Sequence, residues 1–369
     1  MEPNQDKLKI SFILPTFNER RNINLILKPL LDLNKNFETE LIVIDDNSQD
    51  GTAEIVREIS KKEKNIKLIN RIDRFGLASA IKEGCINASN EIIAIMDTDG
   101  QHKVEDIINA AEKLFFEDLD VVIGSRFAYG ASINGLSQDR EKGSIFANKL
   151  AKYSLSRQYS HISDFMTGCI VLKRKSCIDF LKKVEVNGFK FLYELLSISK
   201  GSLKVGEIPL SFQPRKDGFS KLDIAVIWDF FVSLSHTFLK RSIPRKSISF
   251  GFVGSTGIFV QLISFYSLKI VFGLNFELSL PIAVILAASS NFFINNWLTF
   301  RSKRLKNKKL ILGLLKFLIV SSLPIFANVG LATSFYNYVT PNTFISQMAG
   351  IIIVFIWNYA ASSRFVWEI

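Results

Sequence analysis

The chain has 369 residues, a formal net charge of +11, 48% hydrophobic residues and a mean hydropathy of +0.20. With 20 Gly, 9 Pro and 3 Cys, collagen-like, disordered and disulfide-scaffold classes are excluded. A basic chain that is also apolar overall points to a membrane rather than to nucleic acid, and the length allows roughly two domains.

The first predicted elements alternate between short apolar runs and amphipathic stretches. Runs at 10–14, 40–44, 66–69, 92–96 and 120–123 have strand character. Stretches at 22–33, 52–62, 78–87 and 105–117 have helical periodicity. Such alternation predicts an α/β domain with a mainly parallel sheet, whose ligands sit beyond the carboxyl ends of the strands. Three strands end there in polar groups: Pro15-Thr16-Phe17-Asn18-Glu19, Asp45-Asp46-Asn47-Ser48 and Asp97-Thr98-Asp99-Gly100-Gln101.

Asp97 and Asp99 leave a hydrophobic strand two residues apart. They are either a solvated turn or a pair converging on a hard divalent cation that also takes phosphate oxygens. His102 is a ligand, a supporting neighbour of that pair or a surface residue. Asp45 and Asp46 are either turn residues or a carboxylate facing a base or ribose. Farther on come three basic groups: Gly124-Ser125-Arg126, Arg140 and Ser144 in QDREKGS, and Arg215, Lys216 and Lys221 in FQPRKDGFSKL. Each is a solvated face or a phosphate site, for which Arg is suited by its bidentate fork.

Residues 222–239 carry Ile224, Ile227, Trp228, Phe231, Leu234 and Phe238 at helical spacing, followed by Lys240-Arg241. This is an interfacial helix or a core-packing one. From 248 onward the composition changes. Only Glu277 and Glu368 are acidic, and this third of the chain carries +7 of the +11. Apolar segments at about 248–272, 279–300, 311–336 and 343–362 are each long enough to span a bilayer. Six basic residues lie in 301–309, and the turns 273–278 and 337–342 have none. The positive-inside rule then puts that loop and both ends of the segment in the cytoplasm. The polar start MEPNQDKLK is no signal peptide, so 1–246 is expected to be cytoplasmic. Asn291, Asn295 and Asn358 are expected to hydrogen-bond between helices. Cys85, Cys169 and Cys177 have no metal-ligand spacing and are expected to be reduced thiols.

In order, LPTFNER, VIDDNSQDGT, NRIDRFGLASAIKEG, MDTDGQH, GSRF, FKFLYELL and EIPLSFQPRKDGFSKL resemble the polyprenyl-phosphate glycosyltransferases of inverting family 2. SFGFVGSTG, NFFINNWLTF and WNYAASSRFVW resemble the GtrA-like four-helix membrane family. The resemblance implies a Rossmann-like GT-A domain at 1–222, an interfacial region at 223–246 and an all-α transmembrane domain of four helices at 247–369. It also implies transfer of a hexose from a GDP-mannose or UDP-glucose type donor to a polyprenyl (dolichyl or undecaprenyl) phosphate. Pro15, Phe17, Glu19, Asp46 and Asp97 match nucleotide-binding positions. Asp97, Asp99 and Gln101 match a site for Mg²⁺ or Mn²⁺. Arg126, Arg140, Ser144, Arg215 and Lys221 match phosphate-holding positions, and Asp97, Asp99, Arg126, Arg140 and Arg215 are the catalytic candidates. Partners are then the nucleotide-sugar, the lipid phosphate and the bilayer, with no nucleic acid and room for a homo-oligomer. Ala78, Thr167 and Cys169 depart from the family pattern near the donor sugar. Two other readings stand beside this one: a processive polysaccharide synthase, for which no QxxRW motif is present, and a non-enzymatic flippase or assembly subunit.

Overall fold

The computed structural model describes residues 7–72, 76–133, 138–185, 190–214, 224–339 and 343–368. The chain divides into two compact units, Met1–Phe238 and Leu239–Ile369.

The first unit opens with β1 (Lys9–Thr16), α1 (Ile23–Asp32), β2 (Glu38–Asp45), α2 (Thr52–Ser60), β3 (Ile66–Asn70), α3 (Leu77–Asn87), β4 (Ile92–Ile95), α4 (Val104–Phe116) and β5 (Val121–Ser125). These are the nine elements expected from the sequence, with ends shifted by a residue or two. The structure adds α5 (Gln138–Ser154), β6 (Ile170–Lys173), α6 (Arg174–Lys183), α7 (Phe191–Ser199) and β7 (Val205–Pro209), and α8 (Ile224–Phe238) is the helix expected over 222–239.

Seven strands form one sheet in the order β3-β2-β1-β4-β6-β5-β7. Because helices cover both faces, the central strands are buried on both sides and read as nearly unbroken apolar runs. The side-chain period of two still sorts them. Ile13, Ile42, Ile44, Ile93 and Ile95 join Ile81 and Cys85 of α3, with Tyr159, Phe165 and Tyr193, on one face. Ile10, Phe12, Leu14, Leu41 and Val43 join Ile23, Leu27 and Leu30 of α1 and Ile107 and Leu114 of α4 on the other.

The sheet is mixed rather than simply parallel. β6 runs antiparallel to both β4 and β5, with Ile170 paired to Ile95 and to Ile123. An antiparallel insertion brings the entry to β6 beside the exits of β4 and β5. The polar turn before Ile170 therefore lies at the same edge as the residues after Ile95 and Ile123.

Phe230 and Leu234 of α8 pack into the first core, while Ile224, Ile227, Phe231 and Phe238 are exposed. The helix is thus core-packed on one side and apolar toward its surroundings on the other. The three cysteines are free and buried. Burial pushes the Cys169 and Cys177 thiols up to about 12, so they serve as packing groups.

The second unit contains α9 (Arg245–Ile270), α10 (Phe276–Trp297), α11 (Lys308–Tyr338) and α12 (Thr343–Phe365). Among the described residues, Arg245–Ile270 is a helix long and apolar enough to cross a membrane. Trp367 stacks on Phe300 with ring centroids 4.1 Å apart, and its Nε1 donates to Asn296 Oδ1 at 3.1 Å. Asn296 also closes the 301–309 loop by accepting from the Leu305 amide (2.8 Å) and donating to the Leu305 carbonyl (3.1 Å). Asn291 fills the space left by Gly257, where a Cβ would overlap its amide. Among the described residues, the buried Oδ1 atoms of Asn291, Asn295 and Asn358 find no hydrogen-bond partner, so these oxygens do not accept the interhelical bonds expected of the three side chains.

Candidate active site

The carboxyl ends of β1 and β2 face each other through two residues in the left-handed region, Asn18 (φ 56) and Asn47 (φ 63). Asn side chains tolerate that conformation through local hydrogen bonds. Here the Asn18 amide donates to Ser48 Oγ at 2.8 Å, and the Gln49 amide donates to Asn18 Oδ1 at 3.0 Å. Asp45 is a turn residue: it accepts from the Ser48 amide (2.8 Å) and hydroxyl (2.6 Å). Glu19 accepts from Asn22 Nδ2 at 2.8 Å, and Phe17 is half-buried. Pro15 is tied to the next strand end, its carbonyl accepting from Thr98 Oγ1 at 3.0 Å.

Asp46 is buried and engaged. Its Oδ1 lies 3.0 Å from Arg71 Nη1, and its Oδ2 accepts from the Gly76 amide at 2.8 Å. Arg71 reaches onward to Glu83 (3.3 Å) and Ser79 (2.6 Å) of α3. This pair braces one end of the cleft.

Beyond β4, Asp97 is half-buried and Asp99 buried. The Gln101 amide donates to Asp99 Oδ1 at 3.1 Å, with Gly100 at φ 78 making the tight turn. Gln101 is fixed in turn to the segment after β7, its Nε2 donating to the Gln213 carbonyl at 3.1 Å. Gly168, in the turn before β6, lies so close to Asp97 that a Cβ there would overlap the carboxylate.

Arg126 leaves β5 and is held by Asp164, which has no exposed surface. Nε donates to Oδ2 at 2.7 Å and Nη2 to Oδ1 at 2.9 Å. Asp164 Oδ1 also accepts from the Met166 amide (3.1 Å) and from Asn148 Nδ2 (3.3 Å). Burial works against ionisation of Asp164, but the Arg126 guanidinium and the amides outweigh it and hold the carboxyl below its ordinary value. Arg140, Ser144 and Asn148 follow at spacing i, i+4, i+8 on α5, so one face of that helix carries all three. Asn148 locks that face to Asp164.

Lys190, just before α7, joins these groups electrostatically. Its ammonium donates to the Met166 carbonyl at 3.1 Å. Burial, together with the Arg126 and Arg140 charges, pushes it down to about 8, against the opposite pull of Asp97 and Asp164. Asp97, Arg126, Arg140 and Lys190 therefore share one local field. Arg215 and Lys221 lie outside the described residues.

The donor set suits a hard divalent cation bound jointly with phosphate. Asp97 and Asp99 offer carboxylate oxygens, and among the described residues no cluster of three His, Cys, Asp or Glu forms an all-protein cage. Two carboxylates plus substrate oxygens are a common way to hold Mg²⁺ or Mn²⁺. Among the described residues, His102 Nδ1 is buried without a hydrogen-bond partner, an orphaned polar atom three positions along the chain from Asp99.

The glycosyl transferase family 2 profile matches residues 11–181, and that of the GtrA/DPMS transmembrane domain matches residues 249–367. The dolichol-phosphate mannosyltransferase of Pyrococcus furiosus is 30% identical over 370 residues, covering 98% of this chain and 99% of that protein. The chain belongs to the dolichol-phosphate mannosyltransferase-type family 2 glycosyltransferases. The Saccharomyces cerevisiae dolichol-phosphate mannosyltransferase is 30% identical over 244 residues, 63% of this chain and 88% of that protein. The glucosyl-3-phosphoglycerate synthase of Mycobacterium tuberculosis, solved with Mn²⁺, UDP and glucosyl-3-phosphoglycerate, overlays with a TM-score of 0.45 at 16% identity, covering 64% of this chain and 81% of that one. The protein is thus a GT-A glycosyltransferase of the group that transfers sugar to polyprenyl phosphate, with a GtrA-like membrane domain.

In this family member, sequence reasoning missed Asp164, Lys190, Asn148 and Arg71. Asp164 and Asn148 stand among apolar neighbours, Ile162, Phe165 and Met166 for the one and Phe146, Ala147 and Leu150 for the other, outside every recognised motif. Lys190 heads the FKFLYELL stretch, whose apolar run reads as core. Arg71, in NRIDRFGLA, and Lys190, in FKFLYELL, both lay inside motifs that could have singled them out.

Proposed function

We propose that this enzyme transfers a hexose from a GDP-mannose or UDP-glucose type donor to a polyprenyl phosphate at the cytoplasmic membrane face, with inversion at the anomeric carbon. The observation that carries this reading is the assembly at the carboxyl edge of β4 and β5, where the turn before β6 packs Gly168 against Asp97 and fixes Arg126 through Asp164.

The acceptor oxygen belongs to a phosphate and is already anionic at neutral pH, so no general base is needed. What must be overcome is repulsion between the acceptor phosphate and the donor diphosphate. Arg140 and Ser144 hold the acceptor, Arg126 and Lys190 neutralise charge between the two substrates, and the fixed donors align them for in-line displacement. Pro15, Phe17, Glu19 and Asp46 hold the nucleotide, and Arg215 and Lys221 add positive charge from the segment after β7. Asp97 and Asp99, with Gln101, hold the Mg²⁺ or Mn²⁺. When bound, that ion neutralises the charge building on the leaving diphosphate. Charge development falls on the departing nucleotide diphosphate, which takes the electron pair of the broken glycosidic bond.

The hydrophobic helices from 247 onward serve as a four-span anchor with the 301–309 loop in the cytoplasm. The six basic residues of that loop are the support for this orientation.

The test is a panel of labelled nucleotide-sugars offered to the full chain with polyprenyl phosphate, with and without EDTA. One hexose donor should give a prenyl-phosphate sugar of inverted configuration, and EDTA should stop it. Polymeric product would support a processive synthase. Binding without transfer would support a non-enzymatic subunit.

A further inference from the structure

Glu207 lies on β7, the outermost strand of the sheet, in register with Ile123 of β5. A charge on an edge strand ordinarily faces water and keeps the edge from pairing with another chain. Glu207 instead turns toward the segment before β6. The Ser163 amide donates to its Oε2 at 2.9 Å, and the Ser163 hydroxyl lies 3.1 Å from both carboxylate oxygens. Ser163 Oγ is in turn 2.6 Å from Ser125 Oγ, and Ser125 Oγ accepts from the amides of Phe127 and Ala128, each at 3.0 Å. The order of protons in this chain is fixed. A carboxylate can only accept, so Ser163 gives its one hydroxyl proton to Glu207 and must accept from Ser125. The Ser125 proton is then committed to Ser163, and its lone pairs take the two amides. Polarity therefore runs from the turn after Arg126 to the carboxylate on β7. The next residue in each segment gives this a consequence. Ser125 precedes Arg126 and Ser163 precedes Asp164, so the serine contact joins the same two segments as the Arg126–Asp164 fork. The Arg126 amide also donates to Asp164 Oδ2 at 3.2 Å.

We propose that Glu207 is a positioning residue for Arg126, acting through the hydroxyls of Ser163 and Ser125. Glu207 fixes Ser163 by its amide and its hydroxyl, and the adjoining Asp164 passes that placement to the guanidinium. The proposal rests on the phosphate role given to Arg126 and extends it to the strand behind the pair. Gln at 207 would keep the shape but not the polarity. Its single carbonyl oxygen can serve the Ser163 amide, while its amide group donates toward Ser163 Oγ and competes with the Ser125 proton. The turn that carries Arg126 then loses its fixed attachment.

Kinetics of the full chain in lipid nanodiscs, paired with peptide-mapped phenylglyoxal labelling of its arginines, test it. Glu207→Gln should lower kcat by about 10–100-fold, with the nucleotide-sugar KM held within about twofold. In an Arg126→Lys background the same substitution should cost less than about twofold, because residues that act as a unit are not additive. Labelling at Arg126 should rise severalfold in Glu207→Gln, while Arg71, buried at the other end of the cleft, keeps its native rate. Ser163→Ala removes the hydroxyl and leaves the carboxylate, so it should act in the same direction should Glu207→Gln not fold. An unchanged kcat, an equal loss in the Arg126→Lys background, or equal rises in labelling at Arg126 and Arg71 would each overturn the proposal. Should the native chain transfer no sugar to polyprenyl phosphate, the reading of the reaction fails and labelling alone decides the role of Glu207. A selective rise at Arg126 then supports it, and unchanged labelling there overturns it.

Discussion

Arg126 and Asp164 form a two-point pair, Nε to Oδ2 at 2.7 Å and Nη2 to Oδ1 at 2.9 Å, with the carboxylate sealed from solvent. The guanidinium is therefore aimed before any substrate arrives. Removing one partner of such a pair costs more than the pair contributes, because the other charge stays buried.

Asp164→Asn should cost about 3–5 kcal/mol of stability and lower the transfer rate, leaving nucleotide-sugar binding nearly intact. Thermal unfolding and separate kcat and KM values check this. The acid side has a defined sign. Because the folded carboxyl titrates below its unfolded value near 3.9, its stabilisation is complete above that value. It is lost as pH falls through the lower folded one. The variant should lack that acid-limb loss.

Asp97→Asn and Asp99→Asn should each reduce transfer by about 10²–10³-fold or more, while the fold survives, because both residues sit on a turn rather than in the core. EDTA should inactivate the native enzyme, and adding Mg²⁺ or Mn²⁺ should restore it. Full activity after exhaustive chelation would remove the metal role from this pair.

Gly168→Ala tests how closely the site is assembled. The added methyl overlaps the Asp97 carboxylate, which must move. A displacement of about 1 Å can cost up to about 10²-fold in rate. Steady-state kinetics should show that loss with divalent-ion activation shifted to higher concentration.

Arg140→Ala should raise the KM for polyprenyl phosphate by about 10–100-fold, the worth of a charged hydrogen bond, with the nucleotide-sugar KM little changed. Equal losses for both substrates would take the acceptor role away from Arg140.

Lys190 titrates at about 8, well below its ordinary 10.5. Its positive charge is present below about 8 and lost above, so transfer should fall on the alkaline side. Lys190→Arg should keep activity at pH 9, and Lys190→Met should give a low, flat profile. Stability moves oppositely. Between about 8 and 10.5 the unfolded chain binds more protons, so the native state gains stability as pH rises there. A pH-rate profile paired with denaturant unfolding at pH 7 and 9.5 separates the two effects.

The sequence by itself determined the local elements and their chemistry. The apolar runs behind β1 to β5, with helical periodicity between them, specify strands and helices because burial on both faces demands nearly unbroken apolar segments. Asp97, Asp99, Arg126 and Asp46 stand out because polar groups at the ends of such runs have no packing role. The change in composition at 248 marks a second unit for the same reason, since acids are too costly in an apolar phase.

The tertiary structure decided which of these groups meet. β6 was not picked out in the sequence: its four residues, Ile170–Lys173, run directly into α6 and give no sign of their antiparallel direction in the sheet. Its antiparallel insertion between β4 and β5 brings Asp164 to Arg126 and Gly168 to Asp97 across gaps of 38 and 71 positions in the chain. Strand order and direction arise from how all seven strands bury their faces together. No local pattern encodes them, so the field around Lys190 exists only in the folded sheet.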